Sequence, residues 1–329
     1  MISPALANAN NGNWQTASRW ARMLRLRYAA TIVASDAAAN NLSRCPDLVI
    51  ALHARRSAAA LKAATATCPD TPVMLVLTGT DLYRDIHADA DARLTLQRAD
   101  RLVVLQQAGL QELPPALHAR ASVIHQSAPM LKAIAADVKS RMRHFDVCMI
   151  GHMRPEKDPA TFMRAAALLD APRIRLLHIG GALDAALAAQ AQATEKAHAS
   201  YRWLGALPHG DTRRRLKRCH LMVIASHMEG GANVIIEALT SGVPVLASDI
   251  SGNRGMLGDD YAGYFPAGDS TALAQAITRA AADPAFYALL EQQCQARAPL
   301  FAPAREQTAL LELVDNMLHS KHTDRNPSS

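Results

Sequence analysis

The sequence predicts an α/β protein made of two consecutive doubly wound domains. The chain has 329 residues, which is long for a single hydrophobic core and suits two domains of ordinary size. Half of the residues are hydrophobic but only 4% are aromatic, and alanine is abundant. This composition favours helices packed closely on parallel sheets. Short apolar runs also alternate with helical stretches, which is typical of parallel βαβ units.

The strand-like runs fall into two series. The first lies at residues 31–34, 47–52, 73–77, 101–105 and 122–125. The second begins at Asp146 and continues at residues 174–179, 201–204, 221–225, 243–247 and 264–266. Between the two series the alternation pauses and charges collect, so residues 129–144 are the predicted linker.

These boundaries predict an N-terminal domain at residues 1–140 and a C-terminal domain at residues 141–302. Three helices should end the chain, at residues 270–281, 284–296 and 303–319. The polar tail at residues 320–329 is predicted to be disordered. Only a stub, Met1-Ile-Ser-Pro, stands where a first strand of about five or six residues is expected. We therefore expect a truncated first strand and a less stable first domain.

Composition and charge also limit the function. A net charge of +6 suits a phosphate-bearing substrate, whereas arginines spread along the chain without interleaved aromatic residues argue against nucleic-acid binding. No apolar run approaches the roughly 20 residues of a membrane span, so we expect a cytoplasmic protein without stable membrane insertion. The cysteines have no metal-ligand or redox spacing and are predicted to be reduced, buried and structural: Cys45, Cys68, Cys148, Cys219 and Cys294. No metal or cofactor is predicted.

Two glutamates in the second series form the first candidate site. Glu229 follows a predicted strand, and Glu237 lies eight positions later, one turn into a helix for which Asn233 is the predicted N-cap. Between them, Gly230, Gly231 and Ala232 allow backbone to approach a ligand. The N–H groups at such a helix start attract a diphosphate, and the carboxylate of Glu237 can accept hydrogen bonds from both hydroxyl groups of a ribose. The alternative is a solvated surface pair.

A second candidate site is the loop at residues 151–158. A strand ends at Gly151, and Asp158 and Pro159 are the predicted N-cap and first residue of a helix. Lys157 therefore lies beside a helix N-terminus, where its cation can neutralise a phosphate. The alternative is an exposed loop whose basic residues balance Glu156 and Asp158.

Together, the strand, double-glycine turn, small-residue helix and Gly-Val-Pro-Val strand resemble the retaining glycosyltransferases of family 4, which have the GT-B fold. The resemblance implies two Rossmann-like domains facing a central cleft and a C-terminal helix that crosses back to the first domain. It also implies a nucleotide sugar, held by two cations at its diphosphate. Lys157 matches the family lysine, but His152 stands at the usual arginine, so Arg154 or a protonated His152 would supply the second cation. Glu229 would face the sugar, and backbone near Leu204 would contact the base.

Two further segments belong to the first series. Gly12 and Asn13 follow Asn10 and Asn11 in a turn before a basic helix, and the family has a glycine-containing loop there that faces the donor phosphates. An ordinary turn and an ordinary solvated helix, without a membrane role, are the alternatives. The ends of two predicted strands also carry polar groups that are acceptor-site candidates: His53, Arg55, Thr78, Gly79, Thr80, Asp81 and Arg84. Alternatively, Asp81 caps the next helix and pairs with Arg84.

Three short segments, at residues 11–17, 77–85 and 151–159, are similar to those of the selenosugar synthases of selenoneine biosynthesis. This resemblance implies transfer from a UDP-sugar, in particular UDP-N-acetylglucosamine, to selenophosphate, a small anionic acceptor. Three other functions remain open: a family 4 transferase with a sugar, lipid-linked or small-metabolite acceptor, a non-catalytic nucleotide-sugar binder, and an epimerase.

Overall fold

The computed structural model describes residues 1–5, 12–35 and 44–325. In these residues the chain forms two compact units. The first contains Met1–Gln126 together with the C-terminal residues from Pro303, and the second contains Ser127–Ala302. Each unit has one parallel six-stranded sheet, so the predicted α/β class is confirmed.

The sheet of the first unit has the strand order β2-β1-β3-β4-β5-β6. Its strands are β1 (Ile2–Ser3), β2 (Val33–Ala34), β3 (Val49–Leu52), β4 (Val73–Leu77), β5 (Arg101–Val104) and β6 (Ala121–Val123). Every residue of β3 and β4 is buried because helices cover both faces of the sheet, which explains their continuous apolar sequences. The strand β1 has two residues and lies between β2 and β3.

Helices connect these strands. They are α1 (Gly12–Leu24), α2 (Ala58–Thr67), α3 (Ile86–Ala88) and α4 (Ala90–Arg98). A π-helical turn at Asp81–Asp85 leads from β4 into α3. Irregular turns of this kind are frequent at functional sites, and this one contains two of the acceptor-site candidates.

The sheet of the second unit has the order β12-β11-β10-β7-β8-β9. Its strands are β7 (Phe145–Ile150), β8 (Ile174–Ile179), β9 (Tyr201–Trp203), β10 (Leu221–Ile224), β11 (Val245–Ser248) and β12 (Tyr264–Phe265). The strand β7 is paired on both sides, with Val147 opposite Leu221 of β10 and Leu176 of β8. Its carboxyl end therefore lies in the middle of the sheet, beside the ends of two neighbours.

Eight α-helices of the described residues belong to the second unit. They are α5 (Ala136–Ser140), α6 (Pro159–Leu168), α7 (Ala185–Ala197), α8 (His209–Arg218), α9 (Asn233–Leu239), α10 (Ser251–Leu257), α11 (Ser270–Ala282) and α12 (Pro284–Arg297). Aspartate side chains accept N–H groups of the first turn in four of them, at Asp158, Asp184, Asp269 and Asp283. Gly242 ends the turn after α9 with a φ of 66°, a conformation that favours glycine.

The last helix, α13 (Pro303–Arg325), packs on α1 in the first unit. The link is a buried carboxylate: the Nε–H group of Arg19 is shared between the two carboxylate oxygens of Glu306, at 3.0 and 2.8 Å, and Trp20 Nε1 donates to Glu306 at 2.7 Å. Glu306 is 1% exposed and Trp20 is fully buried. The apolar side of α13 joins the same cluster, with Leu310, Leu311, Val314 and Met317.

The prediction that all five cysteines are reduced and buried is wrong for one pair. Cys45 and Cys68 form a disulfide, with their Cα atoms 5.6 Å apart, and Cys45 is exposed. The pairing joins the segment before β3 to the C-cap of α2, 23 residues later, so it depends on how α2 packs and has no sequence signature. The other three cysteines are free and buried, as predicted.

Among residues 1–5, 12–35 and 44–325, no helix is both long enough and apolar enough to cross a membrane.

The buried carboxylate of Glu306 should be necessary for the stability of the first unit. In Glu306→Ala, the Trp20 N–H and the Arg19 guanidinium lose an acceptor in a buried site, and we expect the free energy of unfolding to fall by about 2–4 kcal/mol. Urea unfolding followed by tryptophan fluorescence measures the change. Glu312→Ala, at an exposed position of the same helix, is the matched control and should have little effect. Equal losses in the two variants would contradict the assignment.

Candidate functional site

The two candidate segments of the second unit meet at one ion pair. Lys157 Nζ lies 2.5 Å from Glu229 Oε1, and Ser226 Oγ donates to the same oxygen at 2.5 Å. Glu229 is only 7% exposed, and the side chain of Lys157 is 21% exposed. Glu229 is therefore not part of a solvated surface pair, and Lys157 is balanced by Glu229 and not by the acidic residues beside it in the sequence.

Sheet topology explains this meeting. The loops that contain Lys157 and Glu229 follow β7 and β10, which are parallel neighbours, so both loops leave the sheet at the same edge. Backbone contacts then join the loops: His227 N donates to Glu156 O at 3.0 Å. The side chain of His227 also approaches Asp158, with Nε2 at 3.4 Å from Oδ2.

Two glycines that the sequence analysis missed make room for these loops. A Cβ atom at Gly252, in the first turn of α10, would lie 1.9 Å from the carbonyl oxygen of Glu229. One at Gly180, at the end of β8, would lie 1.8 Å from the carbonyl oxygen of Gly151. Neither distance is sterically possible, so any side chain at these positions would displace the loops. Gly180-Gly181, which follows β8, is a double glycine like Gly230-Gly231. This similarity is the sequence feature that could have predicted its place beside the site.

His152 is held as a neutral imidazole. Its Nδ1 accepts a hydrogen bond from Gly181 N at 2.9 Å, which leaves the ring proton on Nε2. Burial, followed by the positive charges of Arg154 and Lys157, lowers the pKa of His152 below its ordinary value. An imidazole with this environment is uncharged at neutral pH.

Arg154 lies between His152 and Lys157 in the same loop. Its Nε atom is buried and has no hydrogen-bond partner among the residues that the structure describes. A buried guanidinium N–H without a partner is costly, and such groups in native proteins call for an explanation such as an anionic ligand. Arg154 thus has the geometry of a cation that can bind an anion at this edge of the sheet.

Two helices, α6 and α9, begin near the ion pair. The predicted N-cap residue is correct for α6 and wrong for α9. Asp158 is the N-cap of α6, as predicted, and accepts a hydrogen bond from Thr161 N at 3.2 Å. For α9 the predicted N-cap is wrong by one residue: Ala232 has extended backbone and is the N-cap, and Asn233 is already helical. Gly230 and Gly231 form a bend just before it.

Glu237 lies in α9 and is paired with a residue that the sequence analysis did not consider. His209, the first residue of α8, places Nε2 at 2.6 Å from Glu237 Oε1. The side chain of Glu237 is 12% exposed and that of His209 is 48% exposed. The two residues are 28 positions apart, so no spacing pattern indicates the contact.

Leu204 follows β9 and lines a pocket of about 380 Å³ with Leu207 of the same loop. The remaining wall of the pocket is the exposed face of α8, with Asp211, Arg214, Arg215 and Arg218. Leu204 therefore lies next to the helix that begins at His209.

In the first unit, Asp81 ties the ends of two strands together. Its carboxylate accepts hydrogen bonds from Ala54 N at 2.9 Å, Thr78 N at 2.9 Å and Gly79 N at 2.8 Å. The side chain is fully buried. Asp81 is thus occupied by backbone groups at the carboxyl ends of β3 and β4, and it holds the other acceptor-site candidates in place.

His53 is the unusual residue of this cluster. It is buried, has a φ of 71°, and places Nε2 at 3.1 Å from Thr80 Oγ1. A positive φ is strained for a histidine, and such strain is often found at functional sites. Beside it, Arg55 Nε and Arg84 Nε each lie 3.0 Å from Asp85, so Arg84 pairs with Asp85 and not with Asp81.

Gly12 and Asn13 are the first residues of α1 in the first unit. The turn predicted before them includes Asn10 and Asn11, which lie outside the described residues.

Comparison with known proteins identifies the family. The sequence profile of glycosyl transferases group 1 matches residues 132–299. Among solved structures, HepE (Alr3699) of Anabaena in complex with UDP and glucose has a TM-score of 0.70 and 19% identity, over 82% of this chain and 77% of that one. Sucrose-phosphate synthase of Thermosynechococcus elongatus has a TM-score of 0.67 and 19% identity, over 83% and 74%. An α,α-trehalose-phosphate synthase (UDP-forming) of Burkholderia vietnamiensis has a TM-score of 0.69 and 13% identity, over 88% and 75%.

At these identities the structural likenesses establish the fold, and with the two parallel sheets they confirm the predicted GT-B class. Because the family profile spans more than half of the sequence, this chain belongs to the glycosyl transferases group 1 family.

Proposed function

We propose that this protein transfers a sugar from a UDP-sugar, in particular UDP-N-acetylglucosamine, to selenophosphate, and so makes a selenosugar for selenoneine biosynthesis. The observation that carries the donor half of the proposal is the buried pair of Lys157 and Glu229 at the carboxyl edge of the second sheet. The family supports glycosyl transfer, and similar structures contain UDP or UDP-glucose. The acceptor half rests on the three segments that resemble selenosugar synthases.

The leaving group is the first chemical requirement. As the bond between the anomeric carbon and the diphosphate breaks, UDP takes the electron pair, and positive groups must stabilise the growing charge. We assign this role to Lys157 and Arg154, helped by the backbone N–H groups of residues 230–233. His152 is neutral and serves as a hydrogen-bond donor through Nε2.

Glu229 and Glu237 have different roles in this proposal. Glu229 shares one oxygen with Lys157 and Ser226, and its second oxygen is left to orient the sugar. Glu237 accepts the ribose hydroxyl groups. Both residues are only slightly exposed, which keeps their carboxylates in fixed positions.

The acceptor is the second requirement. The selenium atom of selenophosphate is already anionic, so it supplies the electron pair of the new carbon–selenium bond and needs no general base. Its phosphate portion requires cations and hydroxyl donors, and we assign these to Arg55, Arg84 and Thr80 of the first unit. Asp81 binds the backbone at Ala54, and His53 contacts the Thr80 hydroxyl group, so both help to hold these residues in place.

The proposed reaction is tested by UDP release. We expect purified protein with UDP-N-acetylglucosamine to release UDP when selenophosphate is added and to be nearly inactive without it. Release that requires a carbohydrate or lipid-linked acceptor would establish the first alternative and reject the selenium acceptor. Conversion of the sugar without any acceptor would indicate an epimerase, and binding without turnover would indicate a non-catalytic protein.

Loss of the Lys157 side chain should abolish most of the activity. In Lys157→Ala, the charge on the departing diphosphate loses a partner in a partly buried site, and we expect kcat to fall by about 100-fold or more. Lys196→Ala, at an exposed position of α7, is the matched control. Thermal unfolding of both variants shows whether the fold is retained. Unchanged turnover in a folded Lys157→Ala protein would refute the site assignment.

Arg154 and His152 should differ in their effect on diphosphate binding. We expect Arg154→Ala to raise the Kd for UDP by about 10-fold or more, because a charged donor is lost. We expect His152→Gln to have a smaller effect, because the imidazole carries no charge. The pKa of His152 lies below its ordinary value, so its charge is already absent at pH 7 and a rise to pH 8 should leave UDP affinity unchanged. An affinity that falls steeply over this range, and is flat in His152→Gln, would show that a protonated His152 is the second cation.

A further inference from the structure

The contact between His209 and Glu237 has a consequence for nucleotide selection. We propose that His209 is a positioning residue that fixes the Glu237 carboxylate for recognition of a ribose, so that the protein discriminates ribonucleotides from 2′-deoxyribonucleotides. The inference rests on the proposed donor site, in which Glu237 accepts the ribose hydroxyl groups. Beyond that site, it assigns a role to His209 of α8 and predicts a preference for ribonucleotides.

The Glu237 carboxylate uses only part of its hydrogen-bonding capacity within the described residues. An ionised carboxylate offers about four acceptor positions on its two oxygens. His209 uses one position on Oε1, and the described residues supply no second hydrogen bond to this side chain. Oε2 and one position on Oε1 are left for a ligand. The two neighbouring hydroxyl groups of a ribose are two donors with matching separation.

The contact with His209 also orders the side chain of Glu237. A glutamate that becomes fixed on ligand binding loses about 1–2 kcal/mol of rotamer entropy. The bond from His209 Nε2, at 2.6 Å, imposes much of that order before the ligand arrives. Preorganisation of this kind increases affinity without a new contact to the ligand.

The two helices are locked together close to this contact. Arg213, one turn after His209 in α8, donates through Nη2 to Thr240 Oγ1 at 3.1 Å and to Ser241 Oγ at 3.3 Å, just after α9. The same Nη2 lies 3.0 Å from the carbonyl oxygen of Pro129. Arg213 is buried, so α8 cannot shift along α9 without exposing or breaking these bonds. The distance between the first residue of α8 and Glu237 is thereby set by the fold.

The experiment compares the Kd values of UDP and 2′-deoxy-UDP, measured by calorimetry on the full-length protein. In His209→Ala we expect UDP affinity to fall by about 5- to 30-fold, the fold-change that corresponds to the ordering cost of about 1–2 kcal/mol above. The preference for UDP over 2′-deoxy-UDP should fall by a similar factor. Glu237→Ala serves as the reference in which the preference is lost.

Two conservative variants separate positioning from general stability. The amide nitrogen of Gln reaches the place of Nε2, so His209→Gln should retain the preference, whereas His209→Asn is polar but too short and should behave like His209→Ala. His198→Ala, at the C-cap of α7, is a control for removal of a histidine. The half-exposed position of His209 makes all these variants compatible with the fold, which thermal unfolding verifies.

Each result decides the inference. A lost preference in the Ala and Asn variants with retention in the Gln variant supports it. A wild-type preference in folded His209→Ala, together with its loss in Glu237→Ala, overturns the role of His209 and leaves the proposed donor site intact. No binding of UDP by the wild-type protein, or an unchanged preference in Glu237→Ala, overturns the donor site and this inference with it.

Discussion

The parallel pairing of β7 with β8 and β10 is the constraint on which the candidate site depends. Parallel strands release their loops at the same edge, so residues 151–158, 180–181 and 225–232 converge although they are far apart in the sequence. Gly180 and Gly252 then let backbone approach backbone more closely than any side chain would allow. The contact between Lys157 and Glu229 is a consequence of that packing.

Most of the ionisable side chains in these loops are either paired or uncharged. A buried carboxylate without a partner would be strongly destabilising, and Lys157 and Ser226 both bind the Oε1 atom of Glu229. Lys157 is paired with Glu229 and His152 is kept uncharged, so Arg154 is the basic residue of this loop that forms no ion pair with the residues the structure describes.

The polar cluster of the first unit lies at the carboxyl ends of β3 and β4 and is held together by hydrogen bonds to the backbone. Asp81 accepts hydrogen bonds from three backbone N–H groups, and this fixes the ends of β3 and β4. His53, in its strained backbone conformation, contacts Thr80 within the same framework. Arg55, Arg84 and Thr80, which we propose to bind the acceptor, are all at least partly accessible to solvent.

The sequence by itself determined the α/β class, the strand series, the Asp158 cap and the two candidate segments of the second unit, because hydrophobic periodicity and capping are local properties of the chain. The tertiary structure alone decided which groups meet. It paired Lys157 with Glu229, and His209 with Glu237. It joined Cys45 to Cys68 where the sequence indicated free thiols, and it moved the start of α9 by one residue. These contacts depend on strand order and helix packing over tens of residues, and neither leaves a pattern in the spacing of the residues involved.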